Sequence, residues 1–227
     1  MFQHKYLLTF LLLLTPLTSC SGSNKSKNDY RKQAAAERTP EFPVDKLFIE
    51  RWSPRAMSGE KIAEDKLMSL FEAARWAPSD SNNQSWRFIY AHRETPEWNT
   101  LFDCLVDFNK LWVKNAAVLV VIISKNTYDD DTPCQPHSFD AGAAWMSLAL
   151  QGSMMGLVVH GLGGFDYDRA RKKLAIPDDY TVEAMCSIGV SAPVDVLPER
   201  MRKGEVPSQR KPLAEIVFKG SFQKTEK

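Results

Sequence analysis

Apolar and polar positions along the chain fall into blocks whose spacing changes between helical and extended. Ser58 precedes a segment in which Ile62, Leu67, Leu70, Phe71 and Ala74 share one face, with Pro78 beyond it. That spacing predicts a helix from Ser58 to about Ala77. Arg87–Ala91 reads as a short strand, and Pro96–Phe108 as a helix with proline in its first turn. Ala116–Ile123 is a continuous apolar, β-branched run, the pattern of a strand buried on both faces. Ser138–Met155 is long, Ala-rich and apolar almost all round, so it predicts a helix lying inside a core or a subunit interface. Leu157–His160 is a further short strand, Asp166 caps a helix to about Leu174, and Thr181–Val190 is another strand. Beyond Ala192 the chain is Pro-rich and charged, which predicts an arm lying over the surface. No internal repeat is present. The mixture predicts an α/β or α+β domain with one main sheet.

The N-terminal block differs in kind. Residues 1–19 contain Lys5, an apolar run from Tyr6 through Leu14, and Pro16-Leu17-Thr18-Ser19 before Cys20. A basic start, an apolar centre and small residues at the cut form a signal-peptide pattern, too short for a span of about 20 residues. Leu17-Thr18-Ser19-Cys20 resembles the bacterial lipobox, which implies that Cys20 becomes the lipidated first residue of an extracytoplasmic, membrane-anchored lipoprotein. An ordinary signal peptide with an incidental cysteine is the plainer alternative. Ser21–Thr39 is polar, with almost nothing apolar to bury, and reads as a disordered tether within 20–41. The folded domain is expected over 42–227, beginning near Phe42.

Composition narrows the function classes. Twenty-nine Lys and Arg against 28 Asp and Glu leave a formal charge of +1 in 227 residues. Nothing in that balance marks a nucleic-acid surface. Four scattered cysteines, without a CxxC or a Cys/His cluster, make neither a disulfide scaffold nor a structural metal site. Cys104 and Cys186 stand in apolar contexts and are expected to be inert; Cys134, between prolines in a polar loop, is expected to be an exposed thiol.

Candidate chemistry lies in four segments. In Arg51-Trp52-Ser53-Pro54-Arg55 a period of two points Arg51, Ser53 and Arg55 the same way, a clamp suited to phosphate; two solvent-facing arginines are the plain alternative. Ala77-Pro78-Ser79-Asp80-Ser81-Asn82-Asn83-Gln84-Ser85-Trp86 is a polar loop able to read a planar heterocycle, or a turn of turn-forming residues. Gly161-Leu162-Gly163-Gly164-Phe165-Asp166 joins strand to helix and lets a ligand approach the backbone, but lacks the GxGxxG spacing of a Rossmann fold. Arg210-Lys211-Pro212 supplies a late cation that reaches a phosphate or stays in solvent.

Together, in this order over roughly Leu47 to Val217, the four segments resemble the nitroreductase family of flavoproteins. Arg51-x-Ser53-x-Arg55 is similar to its opening flavin motif, and Ala77 to Phe88 to its Ala-Pro-Ser-Ser-x-Asn-x-Gln-Pro-Trp-x-Phe stretch, with Asp80 replacing Ser and Ser85 replacing Pro. Gly163-Gly164-Phe165-Asp166 is similar to its glycine turn, and Arg210-Lys211-Pro212-Leu213 to its closing Arg-x-Pro. The resemblance implies an α+β fold, a sheet flanked by helices in an intertwined homodimer, with FMN at the interface. It implies that Arg51 and Arg210 hold the FMN phosphate, Ser53 assists, and Arg55 lies toward the ribityl chain and the N1–O2 edge. Trp52 belongs to the same cofactor-binding motif. Pro78, Ser79, Asp80 and Asn82 would contact FMN from the partner subunit, Gly163 and Gly164 would lie near N5, and Asn109 at the pyrimidine edge. No side chain is needed as a general base; hydride would pass from NAD(P)H to a nitroaromatic, quinone or similar planar acceptor in a ping-pong cycle. Because NAD(P)H is cytosolic, the lipoprotein address keeps a second possibility open, a tethered flavin- or ligand-binding protein without turnover.

Overall fold

The computed structural model describes residues 29–223; residues 1–19 and Cys20, on which the signal and lipidation readings rest, lie outside them. Twelve elements follow one another along this stretch: α1 (Tyr30–Glu37), α2 (Lys46–Glu50), α3 (Glu64–Arg75), β1 (Trp86–His92), α4 (Pro96–Asp103), α5 (Asp107–Val113), β2 (Val118–Lys125), α6 (His137–Met154), β3 (Leu157–Leu162), α7 (Tyr167–Lys173), β4 (Tyr180–Val190) and α8 (Glu199–Arg202). The strands form one sheet in the order β1-β2-β4-β3, every pairing antiparallel. Helices and an antiparallel sheet make the α+β class expected from the sequence.

The apolar run of β2 is buried on both faces because each face has its own helical layer. Leu119, Val121 and Ile123 pack with Trp98 and Leu101 of α4 and Trp112 and Val113 of α5. Val118, Val120 and Ile122, one residue out of phase, pack with Leu67, Leu70 and Ala74 of α3 and Ala141, Ala144 and Leu148 of α6. Helix α6 comes so close to the sheet that a Cβ on Gly152 would sit 2.5 Å from Val159 Cγ2, which only glycine avoids. Its other side is open: Phe139 is 81% exposed and Met154 is exposed.

Three expectations change. Residues 29–41 are not a disordered tether. Asp29 caps α1 by accepting from Arg31 N, Tyr30 and Ala34 are buried, and the Tyr30 hydroxyl donates to Leu157 O at 2.6 Å. The folded chain therefore includes residues ahead of Phe42. The helix expected from Ser58 begins at Glu64, because Met57 bridges Ser191 and Ser58 N donates to Val190 O, holding that segment at the sheet end. The helix expected over Pro96–Phe108 is two, α4 and α5: Leu105 bridges Phe165 and Val106 N donates to Gly164 O, so the chain is extended between them. Among the described residues no helix is long and apolar enough to cross a membrane.

Candidate functional site

The run after α2 alternates as its spacing predicts: Arg51, Ser53 and Arg55 are partly exposed, while Trp52, Pro54 and Ala56 are buried. Trp52 lies on the buried side of this run. It is 7% exposed, packed against Tyr30, and its Nε1 donates to Tyr30 O at 2.8 Å.

Arg51 Nη1 donates to Ser53 Oγ at 3.2 Å, while its Nε is buried without a hydrogen-bond partner. Burial, then Arg210, push the Arg51 guanidinium below its ordinary range. Arg38 is pushed the same way, first by burial, then by Arg210 and Arg51. Arg51 and the late Arg210, 159 positions apart in sequence, thus share one electrostatic neighbourhood with a third arginine. Glu41 lines the cavity shared by Arg38 and Arg210, and its Oε1 accepts from Leu213 N at 2.9 Å. The sequence reading missed Arg38 because it assigned that segment to the tether; the Asp29 cap and the Ala34-Ala35-Ala36 run were the available signals for order there.

Arg55 is differently placed. Glu205 Oε1 accepts from the backbone N–H of Arg55 and, at 2.8 Å, of Ala56; Glu205 Oε2 stands 3.6 Å from Arg55 Nη1. The Glu205 side chain is 4% exposed. Nothing in the sequence pointed to Glu205. His160 on β3 braces the same run from beneath. Its Nδ1 lies 3.0 Å from Pro54 O, and its ring packs on Trp112 with centroids 4.6 Å apart. Burial, with Arg55 and Arg51 nearby, drives its pKa down to about 4 against the pull of the Pro54 and Ser53 carbonyls. The ring is therefore neutral at pH 7, and Nδ1 carries the hydrogen it donates to Pro54.

The glycine turn and Asn109 meet. Asn109 Nδ2 donates to Gly164 O at 2.9 Å, and a Cβ on Gly164 would lie 2.6 Å from that nitrogen. The break between α4 and α5 brings Asn109 there. Around Gly163 the corresponding space is open.

The loop Pro78–Asn82 forms its own network. Asp80 N donates to buried Asp140 Oδ2 at 3.1 Å, the Tyr128 hydroxyl donates to Asp80 Oδ2 at 2.5 Å, and Gln84 N donates to Ser79 Oγ at 3.0 Å. Pro78, Asp80 and Asn82 are exposed, and no hydrogen bond or ion pair found among the described residues joins this loop to the arginines of the same chain. Asp80 holds the Tyr128 phenol well above its usual range. Ser85, in place of the family's proline, is buried and donates to His137 O at 3.3 Å. The expectation of an exposed Cys134 is overturned: it is buried, with Asn83 Nδ2 3.4 Å from its sulfur. Cys104 and Cys186 are buried as expected, and burial pushes the Cys186 thiol up to about 12.

These residues fit a phosphate-bearing cofactor. Arg38, Arg210 and Lys211 line one cavity with a single carboxylate, Glu41, and Arg51 beside them has a buried unpartnered nitrogen, a cationic site suited to an anion. No group of His, Cys, Asp and Glu among the described residues could hold a metal ion.

Known proteins share this fold. An oxidoreductase containing FMN, of known crystal structure, is 44% identical and superposes with a TM-score of 0.80 over 83% of this chain and 97% of its own. A Desulfovibrio desulfuricans protein, provisionally named a nitroreductase and solved in complex with FMN, is 24% identical, with a TM-score of 0.63 over 81% of this chain and all of its own. A Ralstonia nicotianae protein provisionally named NADH dehydrogenase/NAD(P)H nitroreductase is 23% identical over 178 residues, 70% of this chain and 91% of its own. The nitroreductase family model matches residues 49–97, the stretch that holds both the arginine run and the Pro78–Asn82 loop. The chain belongs to the nitroreductase family.

Proposed function

We propose that the protein is an FMN-dependent oxidoreductase that works as a homodimer. The observation that carries this reading is the cluster of Arg38, Arg51 and Arg210, whose mutual repulsion a phosphate relieves. Arg51 and Arg210 hold the FMN phosphate, with Ser53 beside Arg51. Arg55 faces the flavin with its charge partly balanced by Glu205. Gly163 and Gly164 offer backbone groups to the ring, and Asn109, fixed on Gly164 O, presents an amide at its edge. When bound, FMN supplies hydride chemistry between a donor such as NAD(P)H and a planar acceptor such as a nitroaromatic or quinone. The chain's part is to bind, orient and polarise, so no side chain is required to take up a proton.

Pro78, Ser79, Asp80 and Asn82 are assigned to the flavin of the partner subunit. Support comes from the lack of any hydrogen bond or ion pair between this loop and those arginines among the described residues, and from apolar side chains left uncovered, Phe139 on α6 and Trp76, 74% exposed, after α3. Sedimentation should return a dimer; a monomer that still binds FMN tightly would remove the loop from the site. On the sequence alone, the protein is further proposed to be an extracytoplasmic lipoprotein anchored through Cys20. Cys20→Ser should release it from the detergent phase, whereas unchanged partitioning would sink the anchor.

The purified protein should be yellow, should bleach with NAD(P)H in the absence of oxygen, and should recover its colour with a quinone. A yellow protein that no reduced donor bleaches would favour the binding-protein alternative. A colourless protein that cannot be reconstituted with FMN would overturn both.

A further inference from the structure

The N-terminal segment contributes an arginine whose hydrogen bonds all go to backbone carbonyls at or within two residues of the other two. Arg38 Nη1 donates to Ile49 O and Arg51 O, each at 2.9 Å, and its Nε donates to Ser208 O at 3.1 Å. One planar guanidinium thus ties the end of α2 to the arm that carries Arg210. A second strut runs alongside, from Gln209 Nε2 to Glu37 O. The strut is itself anchored, because α1 is fixed by Tyr30 on Leu157 O and by Trp52 on Tyr30 O. Arg38 lies ahead of residues 49–97, the stretch that the family match covers.

Three like charges in one neighbourhood oppose folding unless an anion compensates them. A structural arginine needing only carbonyls to satisfy it would be no worse placed elsewhere on the surface. Here it is held where it adds to the field of Arg51 and Arg210, and its Nη2 donates in none of these three bonds. Resting on the FMN reading above, we propose that Arg38 is the third guanidinium of the phosphate clamp, setting Arg51 and Arg210 in register and adding its own charge to the anion site. It is a positioning residue first, because it reaches Arg51 through its carbonyl and Arg210 through the carbonyl of Ser208, two residues before it.

The test compares FMN with riboflavin, which lacks the phosphate, by fluorescence titration of the full chain freed of flavin. Arg38→Met keeps the stem and removes the charge. It should weaken FMN by about tenfold or more, the loss of one charge-assisted contact, and riboflavin by less than about threefold. Arg38→Lys keeps a charge but cannot span three carbonyls, so it should recover only part of the preference for FMN. That variant carries the test alone if the methionine variant does not fold. Unchanged FMN affinity, or equal losses for FMN and riboflavin in the variants, would overturn the proposal while leaving the FMN reading intact. A wild-type protein that binds FMN no better than riboflavin would overturn both.

Discussion

Arg51 and Arg55 stand four residues apart on the same side of one extended run, yet the chain gives them opposite surroundings. Arg51 is met by Arg38 and Arg210 and has a buried nitrogen without a partner. Arg55 is met by Glu205, a buried carboxylate that also accepts from two backbone N–H groups beneath it. A charge left uncompensated inside a fold is costly and awaits a ligand; a charge closed by its own carboxylate chiefly serves the fold. The pair shows that side-chain direction follows from local spacing, while role follows from what distant segments bring to the same place.

The sharpest way to break this comparison is to remove the balancing groups one at a time. Glu205→Ala should destabilise the protein by about 3–5 kcal/mol, because it strands Arg55 and leaves two backbone donors unpaired. Urea denaturation reads this directly, and a loss under 1 kcal/mol would mean that Glu205 holds nothing. Arg51→Ala should do the reverse. The flavin-free protein should melt no lower than wild type, since a repelled cation is gone, whereas FMN affinity should fall by roughly 10–100-fold for a lost charge-assisted phosphate contact. A melting temperature that falls with affinity unchanged would exchange the roles of the two arginines.

His160 extends the comparison to pH. Its folded pKa, about 4, lies below the ordinary 6.5, so the unfolded chain binds the extra proton between those values. Stability should therefore fall as pH drops from 6.5 toward 4, by up to about 3 kcal/mol, and level off below. His160→Asn keeps a donor near Pro54 O and should flatten that slope; a slope identical to wild type would place the titration elsewhere. The smallest effect is expected at the glycine turn. Gly164→Ala pushes on Asn109 Nδ2 and should cost about 1–2 kcal/mol. In an Asn109→Ala background the same change should cost clearly less; additive losses would show that the two residues do not act together.

The elements that could be read from the sequence are those whose pattern is set by burial on both sides. The β2 run and the apolar α6 stood out because two layers press on them, and the arginine run because a period of two needs no tertiary knowledge. α1 did not stand out. Its eight residues bury only Tyr30 and Ala34, so its order depends on a hydroxyl reaching Leu157 and on an arginine reaching three carbonyls. The break at Cys104–Val106 was hidden for a similar reason: the bridge to Phe165 competes with helix and wins, and no local residue announces it. Glu205 and the burial of Cys134 are long-range facts, made by the arm and by the Asn83 side chain. In the site, spacing supplied Arg51 and Arg55, and the family resemblance supplied Arg210, the paired glycines and Asn109, while the Glu205 carboxylate, the buried imidazole and the third guanidinium came only with the fold.

Within the Pro78–Asn82 network and just beyond it, Ser81, Asn82 and Gln84 all have positive φ, at 47°, 56° and 49°. Each non-glycine residue there holds conformational energy that the links to Asp140 and Tyr128 keep from being released. The segment behaves like a sprung catch: cutting either link should loosen it out of proportion to one lost bond, while glycine at Ser81 or Gln84 should ease it and leave Asp80 and Asn82 in place.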